Sequence, residues 1–266
     1  MAGHGYEVLA VRYGSRVSTR RENFLNYHLY GEPDAGQVVD YYFWVIRDAE
    51  RVIVVDTGFA PAAGRSRGRA GTGTPASMLP GLGIDTATVG QVIVTHAHYD
   101  HIGNLAEFPA AEVVMSQAEY DFWTGPVAAR HQFAAFAETA EIGHLRSLRD
   151  DGRLTLIRGA HSPAPGVELT EVGGHTPGQL VVLAEGMAGR VVLASDALHL
   201  YAELERDWPY HIVTDLPGMY RAYDLLAELA AGPRTWLVAG HDPAVRDRFR
   251  AYRGGGDVTD LGEPVG

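Results

Sequence analysis

The stretch Thr95-His96-Ala97-His98-Tyr99-Asp100-His101-Ile102-Gly103 directly follows the apolar run Val92-Ile93-Val94. Its three imidazoles and one carboxylate are too many for solvation and too polar for a core. They call for something that binds them. His96 and His98 are two apart, so both can face the same way as a strand runs out. Asp100 and His101 are adjacent and cannot share that face. They need a turn or the first turn of a helix, and Ile102 to Phe108, ahead of Pro109, suits one. One segment then presents two groups of ligands aimed at neighbouring points, a geometry for two metal ions.

The same pattern recurs along the chain. Short apolar runs that read as buried strands end in an acidic or imidazole side chain at Asp56 (R-V-I-V-V-D-T-G), His96 (V-I-V-T-H), His175 (E-L-T-E-V-G-G-H), Asp196 (R-V-V-L-A-S-D) and His241 (T-W-L-V-A-G-H). In sheets covered by helices, ligand sites form at one common set of strand ends. Strands scattered through the sequence are therefore expected to bring these groups together. Imidazole and carboxylate donors suit zinc, with iron, manganese or cobalt compatible, because such sites do not select on affinity alone.

Composition removes other chemistries. The 266 residues contain no cysteine, which excludes disulfides, thiolate nucleophiles and thiolate ligands. All 22 basic residues are arginine, so Schiff-base catalysis and a P-loop lysine are excluded as well. Arginine over lysine, with abundant Ala and Gly, fits a GC-rich bacterial genome. A formal net charge of −11 argues against nucleic-acid and anionic-membrane partners. No apolar run is long enough for a membrane span, and the N-terminal residues lack a signal-peptide pattern, so a cytoplasmic protein is expected. Gly64-Arg65-Ser66-Arg67-Gly68 matches the serine-hydrolase elbow, but no strand precedes it, and Ser66 is read as loop.

One domain over 1–266 is expected. Within it, 1–50 form an extended or hairpin segment rich in Val, Tyr, Phe and Trp, and 253–266 a loose tail. The Gly/Arg-rich run Gly64 to Pro75 reads as loop. Helical spacing covers Phe133 to Asp150 and Met219 to Ala231.

H-x-H-x-D-H after an apolar strand and Thr95, then G-G-H-T-P-G, S-D-A and G-H-D, together resemble the metallo-β-lactamase superfamily from about Asp56 to Asp242. The resemblance implies an α/β (α+β) fold, a four-layer αββα sandwich with a dinuclear metal site at one edge of the sheets. It also implies that His96, His98 and His175 hold one metal, that Asp100, His101 and His241 hold the second, and that Asp196 bridges them. Asp56 would be a buried supporting residue. Two divalent ions, zinc foremost, would leave coordination positions open, and a water shared between them becomes hydroxide near neutral pH.

The bridging aspartate and the lack of a long C-terminal helical extension or a basic insertion narrow the resemblance to the N-acyl homoserine lactonases, which act in quorum quenching. The expected function is thus a metallohydrolase of small-molecule lactones or esters, with phosphodiesterase, thioesterase and, further off, a non-catalytic metal-binding module as alternatives. Asn23 to Tyr30 would line an acyl-chain groove, or would instead pack on the core or on a second subunit of a homodimer. Asp100 would also stand near the leaving alkoxide. Where those lactonases carry a substrate-facing tyrosine three residues after the bridging aspartate, this chain has His199, with Tyr201 two residues on; both are catalytic candidates, His199 ahead.

Overall fold

The computed structural model describes residues 5–265. Its strands are β1 (Glu7–Thr19), β2 (Gly36–Arg47), β3 (Val52–Val55), β4 (Ala70–Gly71), β5 (Gln91–Ile93), β6 (Glu112–Ser116) and β7 (Leu154–Ile157), then β8 (Ala160–Ala164), β9 (Val167–Glu171), β10 (Leu180–Glu185), β11 (Arg190–Ser195), β12 (Thr235–Ala239), β13 (Phe249–Ala251) and β14 (Val258–Pro264). They form two mixed sheets. One runs β13-β14-β1-β2-β3-β5-β6-β7 with β4 added against β1, and the other runs β12-β11-β10-β9-β8.

The alternation in β2 shows how the layers stack. Tyr42, Trp44 and Ile46 join one apolar cluster with Val182, Leu193 and Val238 of the second sheet. Tyr41, Phe43 and Val45 join another with Ile102, Ile142, Leu145 and Leu148 from helical segments. Period-two geometry forces that split, and burial on both faces explains why β2 is apolar almost throughout. On the far side of the second sheet, Met219, Tyr223 and Leu226 of the helix Leu216–Ala230 pack inward. The order is helix, sheet, sheet, helix. No described helix is long and apolar enough to cross a membrane.

Several stretches differ from the sequence reading. The C-terminal residues read as a loose tail include β14, paired antiparallel with β1 at Leu9↔Asp260, Ala10↔Thr259 and Val11↔Val258. Burial of alternate residues Thr259 and Leu261 holds it there. The run read as loop from Gly64 to Pro75 contains the end of a helix (Pro61–Ser66) and β4, and another helix starts at Pro75. The helical run from Phe133 is broken: a short helix at His131–Ala134 precedes the main one at Thr139–Asp150. Arg67 reaches into the break, donating to the Ala135 carbonyl and pairing with Glu138 at 2.5 Å. The segment Asn23 to Tyr30 packs as helical turns, with Phe24 and Tyr27 edge-on to Trp208, and does not line the cavity at the ligand-bearing strand ends.

Candidate metal centre

Five strand ends converge, and each has its own local device. β3 gives way to Asp56, held at φ 60°, which accepts hydrogen bonds from the Thr95 amide (2.8 Å) and hydroxyl (2.7 Å). After β5 the chain bends at Thr95 ahead of His96, and His98 caps the short helix Tyr99–Ile102 that carries Asp100 and His101. His175 follows β9 through Gly173 and Gly174. Gly174 sits at φ +86°, and a Cβ there would meet the Met219 amide nitrogen at 2.6 Å, so only glycine lets this turn press on the helix behind it. β11 ends in Ser195, itself left-handed at φ 46°, and Asp196 follows. β12 ends before Gly240, and His241 follows.

The donor atoms fall into two sets. His96, His98, His175 and Asp196 form one, and Asp100, His101 and His241 the other, with the ligand atoms of each set within 4.8 Å of one another. Asp196 faces both. Its Oδ1 lies 3.2 Å from His101 Nε2 and 3.0 Å from His241 Nε2, while its Oδ2 lies 3.6 Å from His96 Nε2 and 3.4 Å from His175 Nε2. His98 Nδ1 stands 3.1 Å from His96 Nε2 and 3.0 Å from His175 Nε2.

Hydrogen bonds behind the rings decide which nitrogen is free. His175 Nδ1 is 2.8 Å from the Ile212 carbonyl and His241 Nδ1 is 2.8 Å from the Asp40 carbonyl. A carbonyl only accepts, so both Nδ1 atoms carry the proton and both Nε2 atoms present lone pairs. His101 Nδ1 lies 2.8 Å from Asp56 Oδ2 and is fixed the same way. Lone pairs therefore point at carboxylate oxygens, acceptor against acceptor. His101 Nε2 and Asp196 Oδ1 are buried without a hydrogen-bond partner. Cations between them resolve the conflict, and nitrogen with oxygen donors in these numbers fits two divalent ions that share Asp196.

In the first donor set the proton affinities agree. Burial, reinforced by neighbouring imidazoles, pushes His96 and His175 well below the ordinary histidine value and His98 down to about 4, leaving them neutral. Burial acts the same way on His101 and His199, but the Asp196 carboxylate outweighs it, raising His101 well above the ordinary value and His199 to about 9. Asp196 is buried too, yet His101, His199, His241 and His96 together hold it well below the usual carboxylate range.

His199 and Tyr201 part company. His199 lines the cavity in front of the donors, its Nε2 3.0 Å from Asp196 Oδ2 and its ring stacked on Tyr210 at 3.7 Å. Tyr201 points away: its hydroxyl donates to the Leu237 carbonyl at 3.1 Å, and the side chain lies under Arg248. The structure does not bring Tyr201 to the donors, because the helix that starts at Ala202 turns it toward β12.

Several contributors left no trace in the sequence. Glu119, fully buried in the helix Gln117–Thr124, accepts from the Ala97 amide (2.9 Å), the Gly178 amide (2.9 Å) and the Trp123 indole (2.5 Å). It ties the His96–His98 segment to the loop of His175. The cavity, about 220 Å³, is also lined by Arg16, Tyr41, Arg69, Phe136, Tyr210 and His211. These come from remote parts of the chain, and no spacing in the sequence joins them.

Residues 37–241 match the model of the metallo-β-lactamase superfamily. The chain belongs to that superfamily. Among curated relatives, an N-acyl homoserine lactonase from a Bacillus species is 26% identical over 192 residues, 66% of this chain and 71% of the relative. Another from Azorhizobium caulinodans is 25% identical over 194 residues, 67% of each. A solved quorum-quenching N-acyl homoserine lactone lactonase superposes with a TM-score of 0.78 at 20% identity, covering 95% of this chain and 99% of that one. That last likeness speaks for the fold, and membership of a hydrolase superfamily with lactonase relatives supports an enzyme.

Proposed function

We propose that this protein is a dinuclear metallohydrolase that opens a lactone or a closely related carboxylic ester, with zinc as the ion its donors suit best. The observation that carries the reading is Asp196, whose two oxygens face two separate donor sets. His96, His98 and His175 would hold one ion with Asp196 Oδ2, and Asp100, His101 and His241 the other with Oδ1. Two such ions supply Lewis acidity and lower the pKa of water, so no serine or cysteine nucleophile is required. The lactonase relatives direct the choice of substrate toward a cyclic ester.

The chain's own groups do the rest. Tyr41, Tyr99, Phe136 and Ile212 give the cavity apolar walls that exclude water and seat an acyl chain. The His199 ring, clamped by its stack on Tyr210, presents its Nε2 side to the same space as Asp196, where an N–H can donate to a carbonyl oxygen as charge develops. Asp100, at the cavity and in the second donor set, would stand near the leaving alkoxide as the ring opens.

The test is metal content of protein purified without chelator, together with turnover on a panel of lactones, thioesters and phosphodiesters. About two ions per chain with preference for a lactone is the expected result. Zero or one ion after remetallation overturns the dinuclear site. Turnover confined to bis-aryl phosphates replaces the lactonase reading with a phosphodiesterase.

A further inference from the structure

The Gly/Arg-rich run has a place in the site. β4 pairs antiparallel with β1 at Gly14↔Gly71 and Ser15↔Ala70. Continued by one residue, that register sets Arg69 opposite Arg16. Both side chains line the metal cavity, and both also line an adjoining hollow with His211 and Glu22. Like charges directly across a strand pair repel and destabilise the pairing. Proteins usually answer such a pair with a carboxylate.

Here none is supplied at ion-pair distance among the described residues. Arg16 donates to the neutral Asn23 side chain at 3.0 Å. Arg69 donates from Nη1 to the Arg67 carbonyl at 2.9 Å, while its Nε is buried with no partner. The Tyr41 and Tyr99 hydroxyls face Arg69, and the carboxylate that acts on it is Asp100, which belongs to the second donor set. Arg67 differs in kind: Glu138 pairs with it at 2.5 Å and its guanidinium lies over the Tyr99 ring at 4.2 Å. Two guanidinium groups without a carboxylate at ion-pair distance thus line the cavity of a chain whose net charge is −11.

We propose that Arg16 and Arg69 are specificity residues for an anionic substrate, a lactone or ester whose acyl part ends in a carboxylate. This rests on the hydrolase reading above and narrows its substrate class. Guanidinium forks bind a planar carboxylate through paired, charge-assisted hydrogen bonds. A cavity of about 220 Å³ is small for a drug-sized ligand, so it suits a short acyl chain whose far end reaches the arginines. A long plain alkyl tail would leave both charges desolvated and unmatched.

The experiment compares binding of matched mono- and dicarboxylates to the metal-loaded protein by calorimetry: butyrate with succinate, hexanoate with adipate, octanoate with suberate. Each pair offers the metals the same first carboxylate, so only the second reports on the arginines. At the chain length that spans the cavity, the dicarboxylate should bind at least about tenfold tighter, as one charge-assisted pair allows. Arg16→Gln and Arg69→Gln should each bring that ratio close to one with the monocarboxylate affinity unchanged. Arg69→Lys should restore part of it. A ratio near one in the wild-type protein at every length overturns the proposal, as does a ratio that survives both glutamine variants. Turnover of N-hexanoyl and N-adipoyl homoserine lactone runs alongside. Failure to open either lactone counts against the lactonase reading alone, because the binding ratio does not depend on it. Equal kcat/KM for both, with no binding ratio, removes the arginines from specificity.

Discussion

Asp56 does its work through another residue. Its Oδ2 lies against His101 Nδ1, and its Oδ1 caps the amide of Thr95 just ahead of the histidine segment. Removing the carboxylate frees the His101 ring and its tautomer, and losses of about 10–100-fold in metal affinity are typical for such outer partners. We predict that Asp56→Ala lowers occupancy of the Asp100–His101–His241 set by about that factor while the other set keeps its ion, as a metal titration would read. Loss of both ions in equal measure would contradict this division. At position 201 the expectation is opposite. Tyr201→Phe removes a hydrogen bond to the Leu237 carbonyl, about 1 kcal/mol of stability, and should leave turnover unchanged. His199→Ala should lower turnover by roughly 10²–10³-fold at unchanged metal content, the usual loss for one oxyanion donor. The reverse ranking of these two variants would remove His199 from the reaction. At this scale the sequence was informative where a motif stands at a strand end and mute on direction: Tyr201 is adjacent in sequence to the site, and only the helix starting at Ala202 decides which way it points.

Elements, more than residues, hold the two histidine loops in register. The helix Gln117–Thr124 lies between them and offers Glu119 to amides from both. Nothing in Q-A-E-Y-D-F-W-T distinguishes this carboxylate from a solvated one, so its role could not be read in advance. Glu119→Gln sets an amide N–H₂ against donors that need an acceptor, and a stranded buried donor costs about 1–3 kcal/mol. We expect a fall in melting temperature and weaker metal binding at His98 and His175, measured by calorimetry and metal titration; an unchanged melting temperature would refute the tie. The helix Thr139–Asp150 carries a different consequence. Burial, with the charge of Glu138 adding to it, raises the Glu141 carboxyl from its ordinary 4.5 to about 7. The folded state therefore favours the protonated form. That contribution to stability is complete below the unfolded value of 4.5 and is lost as pH rises through about 7. Glu141→Gln should melt higher than the wild type at pH 8 and equal it near pH 4.5. Parallel melting curves across that range would show that Glu141 is not held protonated.

On the scale of the molecule, the sandwich was legible because its strands are short apolar runs that end in chemistry, and because both faces of the first sheet are buried. What stayed hidden was pairing between distant parts of the chain: β4 with β1, and the last strand with the first. Such pairings depend on which edge is open once the sheets have formed, and no local periodicity records that. β14 is the sharper case. It covers the edge of β1, buries Leu261 in the cluster between the sheets, and accepts from the Trp236 indole of β12 through the Gly262 carbonyl at 2.8 Å. It thereby fastens the second sheet to the first from the side remote from the cavity. Removing residues 258–266 exposes the β1 edge, deletes one buried leucine and breaks the indole hydrogen bond. Burial of a leucine contributes about 1.5–3 kcal/mol and a half-buried hydrogen bond about 1 more, so a loss of roughly 3–4 kcal/mol is expected. An open edge of a long strand also recruits other chains. We predict a lower denaturation midpoint and concentration-dependent association for the shortened chain, with metal content per folded molecule unchanged because no donor lies on β14. Measured by urea denaturation and light scattering, an intact midpoint with no association would mean that the two sheets hold together without this strand.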